Sequence, residues 1–181
     1  MVATRNYTVE EVERNPPDGS WELIDGEIIQ MTPSGSESSS IALEIAGLVV
    51  PYVRKGTLGR CFGADSGFAP IPGEAIVRSP DFAFVRAERL PDGKPPAGFM
   101  HFAPDFAVEV LSPSDSRPAA IAKCAWWLEA GSRLVWMVDP ARRSVTVFSP
   151  DGDLATFTTP AMLDLAPVLP GLRIAVDDIF A

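Results

Sequence analysis

Two short stretches decide the fold: Pro80-Asp81-Phe82-Ala83-Phe84-Val85 and Asp105-Phe106-Ala107-Val108-Glu109-Val110-Leu111. Short apolar runs that are rich in Val and Phe are typical of buried strands. One run contains Asp81 and the other contains Glu109, and a carboxylate in a buried strand is costly unless it is paired, hydrogen-bonded or metal-bound. The two carboxylates therefore need a partner, and one divalent cation would serve both.

Alternation along a strand gives the second stretch two faces. One face carries Asp105, Ala107, Glu109 and Leu111, and the other carries Phe106, Val108 and Val110. We expect the purely apolar face to be core and the Glu109 face to form the floor of a site.

A helix is predicted next, over residues 118–130, because a proline suits the first turn and a glycine follows the last. Within residues 119–128 the only charged side chain is Lys123. A helix that is apolar all round is buried on several sides, either within the domain or in a subunit interface, and Trp126 and Trp127 are candidates for such an interface. A lysine in such a helix usually pairs with a carboxylate.

The remaining elements predict a mixed α/β sheet with helices on its faces. Thr8 and Glu11 form a capping box for a first helix, and Asp25-Gly26 is a strong hairpin signal. A longer helix is predicted over 37–54 from its apolar stripe. Further strands are predicted at 58–62, 67–71, 134–138, 144–148, 153–157 and 172–176. The chain has no Gly-x-Gly-x-x-Gly and no phosphate loop, which argues against a doubly wound nucleotide binder.

Length and composition favour a single domain over residues 1–181, with 46% hydrophobic residues to fill one core. The net charge of −9 argues against a protein that coats nucleic acid, but not against an enzyme with a local basic groove. Two cysteines, Cys61 and Cys124, suit free thiols in a reducing cytoplasm. No signal peptide or membrane span is evident, so we expect a cytoplasmic protein.

Two further acidic residues lie beside the stripe of the long helix. Glu44 and Glu37 share a side with the apolar positions, which suits either a third acid of a site or glutamates that cap the helix or extend to solvent. His101 is the only histidine in the sequence, which argues against catalytic triads and against zinc sites that need several histidines.

Asp81, Glu109 and Lys123 together make a set of two acids and a base. Two carboxylates on neighbouring strands can hold Mg²⁺ or Mn²⁺, which lowers the pKa of a bound water and stabilises charge on a phosphoryl oxygen. A nearby lysine can orient the water or neutralise developing charge. This combination is what hydrolysis of a phosphodiester requires.

On these residues the chain resembles the Uma-two restriction endonuclease family of the PD-(D/E)XK nuclease superfamily. The resemblance extends from about Tyr7 to Phe180. The matching stretches are Trp21 to Glu27, Gly63 to Phe68, Pro80 to Val85, Pro104 to Asp115, Lys123, and Leu134 to Pro140.

The resemblance implies a restriction-endonuclease-like fold, a divalent metal and DNA cleavage. It carries Asp81 and Glu109 over as metal ligands, and Lys123 replaces the superfamily lysine that would stand at Leu111. Glu44 matches the acid of the first long helix. The family often has a histidine where this chain has Ser38, and that departure bears on activity.

Three alternatives remain open at the level of sequence. The cluster could be a buried ion network without catalysis, or the chain could be a degenerate nuclease that binds DNA or a partner protein. The substrate could also be RNA or a small nucleotide. The apolar helix that carries Lys123, with Trp126 and Trp127, predicts a homodimer, and two copies would suit cutting both strands.

Overall fold

The computed structural model describes residues 6–32 and 35–181. The α-helices and strands of this part are, in chain order, α1 (Val9–Arg14), β1 (Trp21–Ile24), β2 (Glu27–Gln30), α2 (Ser36–Gly56), β3 (Gly59–Gly63), β4 (Phe82–Arg86), β5 (Phe106–Val110), α3 (Arg117–Glu129), β6 (Leu134–Asp139), β7 (Ser144–Phe148), β8 (Leu154–Thr158), β9 (Met162–Asp164), β10 (Arg173–Ala175) and α4 (Val176–Ile179).

A mixed six-stranded sheet in the order β3-β4-β5-β6-β7-β8 forms the centre. Neighbouring strands are antiparallel, except that β5 and β6 run parallel, with Glu109 opposite Met137. A parallel pair needs a crossover connection, and α3 supplies it. The predicted mixed α/β sheet with helices on its faces is therefore confirmed.

Both faces of the sheet are covered, so every position of β5 is buried. On one face α2 and the C-terminal segment pack against Phe106 and its neighbours, and on the other α3 packs over Ala107 and Met137. The prediction that the whole Glu109 face is a site floor is therefore wrong at its start. Asp105 there accepts from the Arg86 amide at 2.9 Å and pairs with Arg89 at 3.1 Å.

Helix α3 is buried on one side, not on several as its composition predicts. Cys124 and Trp127 are its buried residues, whereas Ile121 is exposed. Trp127 is fully enclosed within the chain, so the prediction that it lies in a subunit interface is wrong. The homodimer itself stays a prediction.

The N-terminal hairpin is attached to the sheet through the segment that precedes β4. Thr8 and Glu11 form the predicted capping box, and Asp25 and Gly26 make the predicted turn with positive φ values of 51° and 83°.

Residues 67–71 do not form the predicted strand, since Phe68 makes only isolated bridges. The prolines at positions 70 and 72 have no N–H to extend a ladder.

No α-helix within residues 6–32 and 35–181 has the length and apolar character needed to cross a bilayer.

Two positions of α2 test whether this helix stabilises the fold through its buried stripe. Ile45 is 0% exposed and Leu43 is 71% exposed. We expect Ile45→Ala to lower the free energy of unfolding by about 2–5 kcal/mol, because it leaves a cavity against the sheet. Leu43→Ala is the matched control and should change it by less than about 0.5 kcal/mol. Urea titration of both variants checks this, and equal effects would contradict the packing described.

Candidate active site

The segment of residues 77–81 is held in place from several sides before it enters β4. Val77 pairs with Leu23 through two backbone hydrogen bonds of 2.9 Å. Arg78 pairs in the same way with Phe68, at 2.9 and 3.0 Å. The Ser79 amide donates to Oε1 of Glu22 at 3.2 Å. These contacts fix the backbone immediately before Asp81.

The Lys123 ammonium joins this segment to two carboxylates. Its Nζ lies 2.8 Å from Oε1 of Glu22 and 3.1 Å from Oε2 of Glu109. It also donates to the carbonyl oxygen of Ser79 at 3.2 Å. An ammonium has three N–H groups, so these three acceptors use all of them.

The other oxygens of the cluster are oriented by neutral donors. The Val110 amide donates to Oδ2 of Asp81 at 2.7 Å. The Trp127 indole donates to Oε1 of Glu109 at 2.7 Å. The bond to Val110 places Asp81 directly beside the strand residue that follows Glu109. Within residues 6–32 and 35–181, Oδ1 of Asp81 has no hydrogen-bond donor, so it could bind another ligand.

Three carboxylates and one ammonium leave an excess of two negative charges when all are ionised. Burial raises the pKa of Glu109 to about 7, although Lys123 opposes the shift. Burial also raises the pKa of Asp81, against the Val110 hydrogen bond and Lys123. Burial alone would lower the pKa of Lys123, but Glu109 and Glu22 outweigh it and raise that pKa. The lysine thus stays charged, and the carboxylates still lack positive charge.

These groups lie in a cleft of about 1290 Å³. It is bounded by the hairpin, the segment before β4, the end of β5 and one side of α3. Six of its lining residues are acidic and two are basic. The acidic ones are Glu22, Asp65, Asp81, Glu109, Asp115 and Glu129, and the basic ones are Arg78 and Lys123.

The structure brings Asp81, Glu109 and Lys123 together, as the sequence predicts, but not Glu44. Glu44 is exposed, and so is Glu37. The buried positions of α2 are 38, 41, 45, 49 and 53, so both glutamates fall on its solvent side. Neither lines the cleft.

Glu22 is the third carboxylate beside Lys123, and sequence reasoning missed it as a site residue. It is buried in β1, between apolar neighbours. A carboxylate in a buried strand needs a partner, and this holds for Glu22 as it does for Asp81 and Glu109.

The donor set fits a hard divalent cation. All three candidates are carboxylates, the ligands that Mg²⁺ and Mn²⁺ prefer. Within residues 6–32 and 35–181, no three His, Cys, Asp or Glu side chains already converge as a metal cage. Mg²⁺ is commonly held by one or two carboxylates, with water and substrate phosphate completing its shell. Asp81 and Glu109 suit that kind of site.

Comparisons with known proteins agree with this architecture. The model of the Uma2 (Uma-two) family, described as "Putative restriction endonuclease", matches residues 8–177. The chain is also similar to the crystal structure of a "putative nuclease belonging to DUF820" from Anabaena variabilis. The two are 25% identical, with a TM-score of 0.80 over 96% of this chain and 97% of that chain. Among curated proteins, none matches.

The raised pKa of Glu109 makes a prediction about stability and pH. Its pKa rises from 4.5 to about 7 on folding. The folded chain therefore keeps a proton that the unfolded chain has lost. This contribution to stability is fully present below about pH 4.5 and is lost as pH rises through about 7.

With a metal chelator present, the free energy of unfolding of wild type should fall by roughly 3 kcal/mol relative to that of Glu109→Gln as pH rises from about 4.5 through about 7. The reason is that Gln does not titrate. Urea titrations at a series of pH values measure the difference. Glu44→Gln is the matched control, and its curve should run parallel to wild type. Parallel curves for wild type and Glu109→Gln would rule out the shift.

Proposed function

Because this chain belongs to the Uma2 family of restriction endonuclease-like proteins, we propose that it hydrolyses phosphodiester bonds of DNA with a divalent metal. The observation that carries the proposal is the cluster of Glu22, Asp81 and Glu109 around Lys123. Its excess of negative charge lies in a cleft large enough for a substrate strand. The printed description of the Anabaena protein as a nuclease supports the same class of reaction.

Asp81 and Glu109 are the proposed ligands of a Mg²⁺ or Mn²⁺ ion. When bound, the ion supplies a water of lowered pKa and positive charge beside a phosphoryl oxygen. It would also compensate the negative charge of these buried carboxylates, which is unfavourable without a cation. The Val110 amide and the Trp127 indole hold the two carboxylates in position for this role.

Lys123 is the proposed electrostatic group of the reaction. All three of its N–H groups are engaged, so it can donate to a water or a phosphate only after releasing an acceptor. Glu109 is the acceptor for which a metal would compete. Glu22 and the Ser79 carbonyl then keep the ammonium charged and in place.

The acidic character of the cleft supports the proposed requirement for a metal. Six carboxylates repel phosphates, and the whole chain carries a net charge of −9. Binding of nucleic acid depends on neutralising phosphate charge. A divalent ion at Asp81 and Glu109 would neutralise the excess of two negative charges where the reaction would take place.

Cleavage of plasmid DNA in Mg²⁺ or Mn²⁺ tests this proposal. We expect Asp81→Asn and Glu109→Gln to slow cleavage by more than about hundredfold. Removing a residue that merely supports a ligand already costs about 10–100-fold in metal affinity or activity. Glu22→Gln should cost roughly tenfold, because it acts through Lys123.

Glu44→Gln is the matched control for these variants, since it makes the same chemical change on the solvent side of α2. It should cleave like wild type. Cleavage by Asp81→Asn at the wild-type rate would overturn the assignment of the site. DNA binding by wild type without cleavage in either metal would favour a degenerate nuclease that acts as a binding module.

A further inference from the structure

Arg78 is the second basic residue of the cleft, and among the described residues it has no carboxylate partner, unlike Lys123. Within residues 6–32 and 35–181, no acidic side chain makes an ion pair with it, although six acidic residues line the same cleft. Its Nε is buried and has no hydrogen-bond partner in that part of the chain. A buried donor without an acceptor is unfavourable, so a feature of this kind calls for an explanation.

The side chain of Arg78 is restricted at both ends, by an aromatic ring beside its guanidinium and by the hydrogen bonds of its backbone. Its central carbon lies 4.8 Å from the centroid of the Trp126 ring. The backbone at Arg78 is bonded in both directions to Phe68. Since the ring restricts the guanidinium, the side chain can bind an anion through its terminal Nη groups with little loss of freedom.

A chain of contacts connects this guanidinium to the proposed metal ligands. Trp126 packs edge-on against Trp127 with centroids 4.8 Å apart. Trp127 in turn donates to Glu109. Along the backbone, Arg78 is next to Ser79, whose carbonyl accepts from Lys123. Arg78, Glu109 and Lys123 line the same cleft, so an anion on Arg78 would lie in the cleft that holds the proposed metal ligands.

We infer that Arg78 binds a phosphate of the nucleic-acid backbone, and that Trp126 is the positioning residue that holds its guanidinium. This inference rests on the proposed function. The planar fork of arginine matches the oxygens of a phosphate, and such charge-assisted bonds are stronger than neutral ones. Lys123 cannot take this role while its three N–H groups are engaged.

Binding of a short fluorescein-labelled DNA duplex, measured by anisotropy in Ca²⁺ over a series of salt concentrations, tests the inference. Arg78→Gln should weaken binding by about 10–100-fold, as expected for loss of a charge-assisted bond. The slope of log affinity against log salt should also fall by about one. Arg78→Lys should bind with intermediate affinity, since it keeps the charge and loses the fork.

Variants of Trp126 separate the proposed positioning role of this ring from the effect of the positive charge of Arg78. Trp126→Leu should weaken binding less than Arg78→Gln and leave the salt slope unchanged, because the cation remains. Trp126→Phe should restore most of the affinity, because a ring is kept under the guanidinium. Arg173→Gln, at an exposed arginine of β10 outside the cleft, is the matched control and should bind like wild type.

Two outcomes keep this inference distinct from the proposed function. If wild type cleaves DNA while a folded Arg78→Gln binds with unchanged affinity and salt slope, the inference is overturned and the proposed function stands. If wild type neither binds the duplex nor cleaves DNA in Mg²⁺ or Mn²⁺, both are overturned.

Discussion

The shared ammonium of Lys123 is the interaction on which the rest of the site depends. It brings together α3, the hairpin strand β1, the end of β5 and the segment before β4 through three acceptors. Removing one partner of a buried ion pair costs about 3–5 kcal/mol, because the other charge is left uncompensated. One side chain therefore maintains the geometry of the cleft while leaving its carboxylates short of positive charge.

The sheet topology explains why these groups meet. The parallel pair of β5 and β6 requires a crossover, and α3 is that crossover. Because the helix packs on the face that carries Glu109, Lys123 and Trp127 both reach this carboxylate. Asp81 precedes β4, the antiparallel neighbour of β5. Its carboxylate accepts a hydrogen bond from the Val110 amide of β5, which connects the start of one strand to the end of the other. The same arrangement that buries the core also concentrates negative charge at the adjacent ends of two interior strands, β4 and β5.

Much of this could be predicted from sequence, because isolated charges in apolar surroundings are informative. Asp81, Glu109 and Lys123 are such charges, and the structure brings all three together. Glu22 satisfies the same criterion but was not identified as a site residue, since the hairpin that carries it is far from β5 in sequence. Its proximity depends on the long-range pairing of Leu23 with Val77, which no local pattern reveals.

Other expectations failed because composition does not specify which side of an element is covered. The apolar composition of α3 suggested burial on several sides, yet alanines and Ile121 are exposed on it. Glu44 lies near the apolar stripe of α2 by spacing, but the buried positions turn it to solvent. Arg78 could not be identified from sequence, because its proposed role depends on its having no ion-pair partner among the described residues.

Calorimetric titration of Mn²⁺ can establish whether the carboxylates around Lys123 form a cation site. The titration compares wild type with Glu109→Gln, at neutral pH and with duplex DNA both absent and present. We expect binding to wild type that is lost or weakened by at least about tenfold in Glu109→Gln. Equal affinity in the two proteins, or no binding to folded wild type even with DNA, would contradict this expectation.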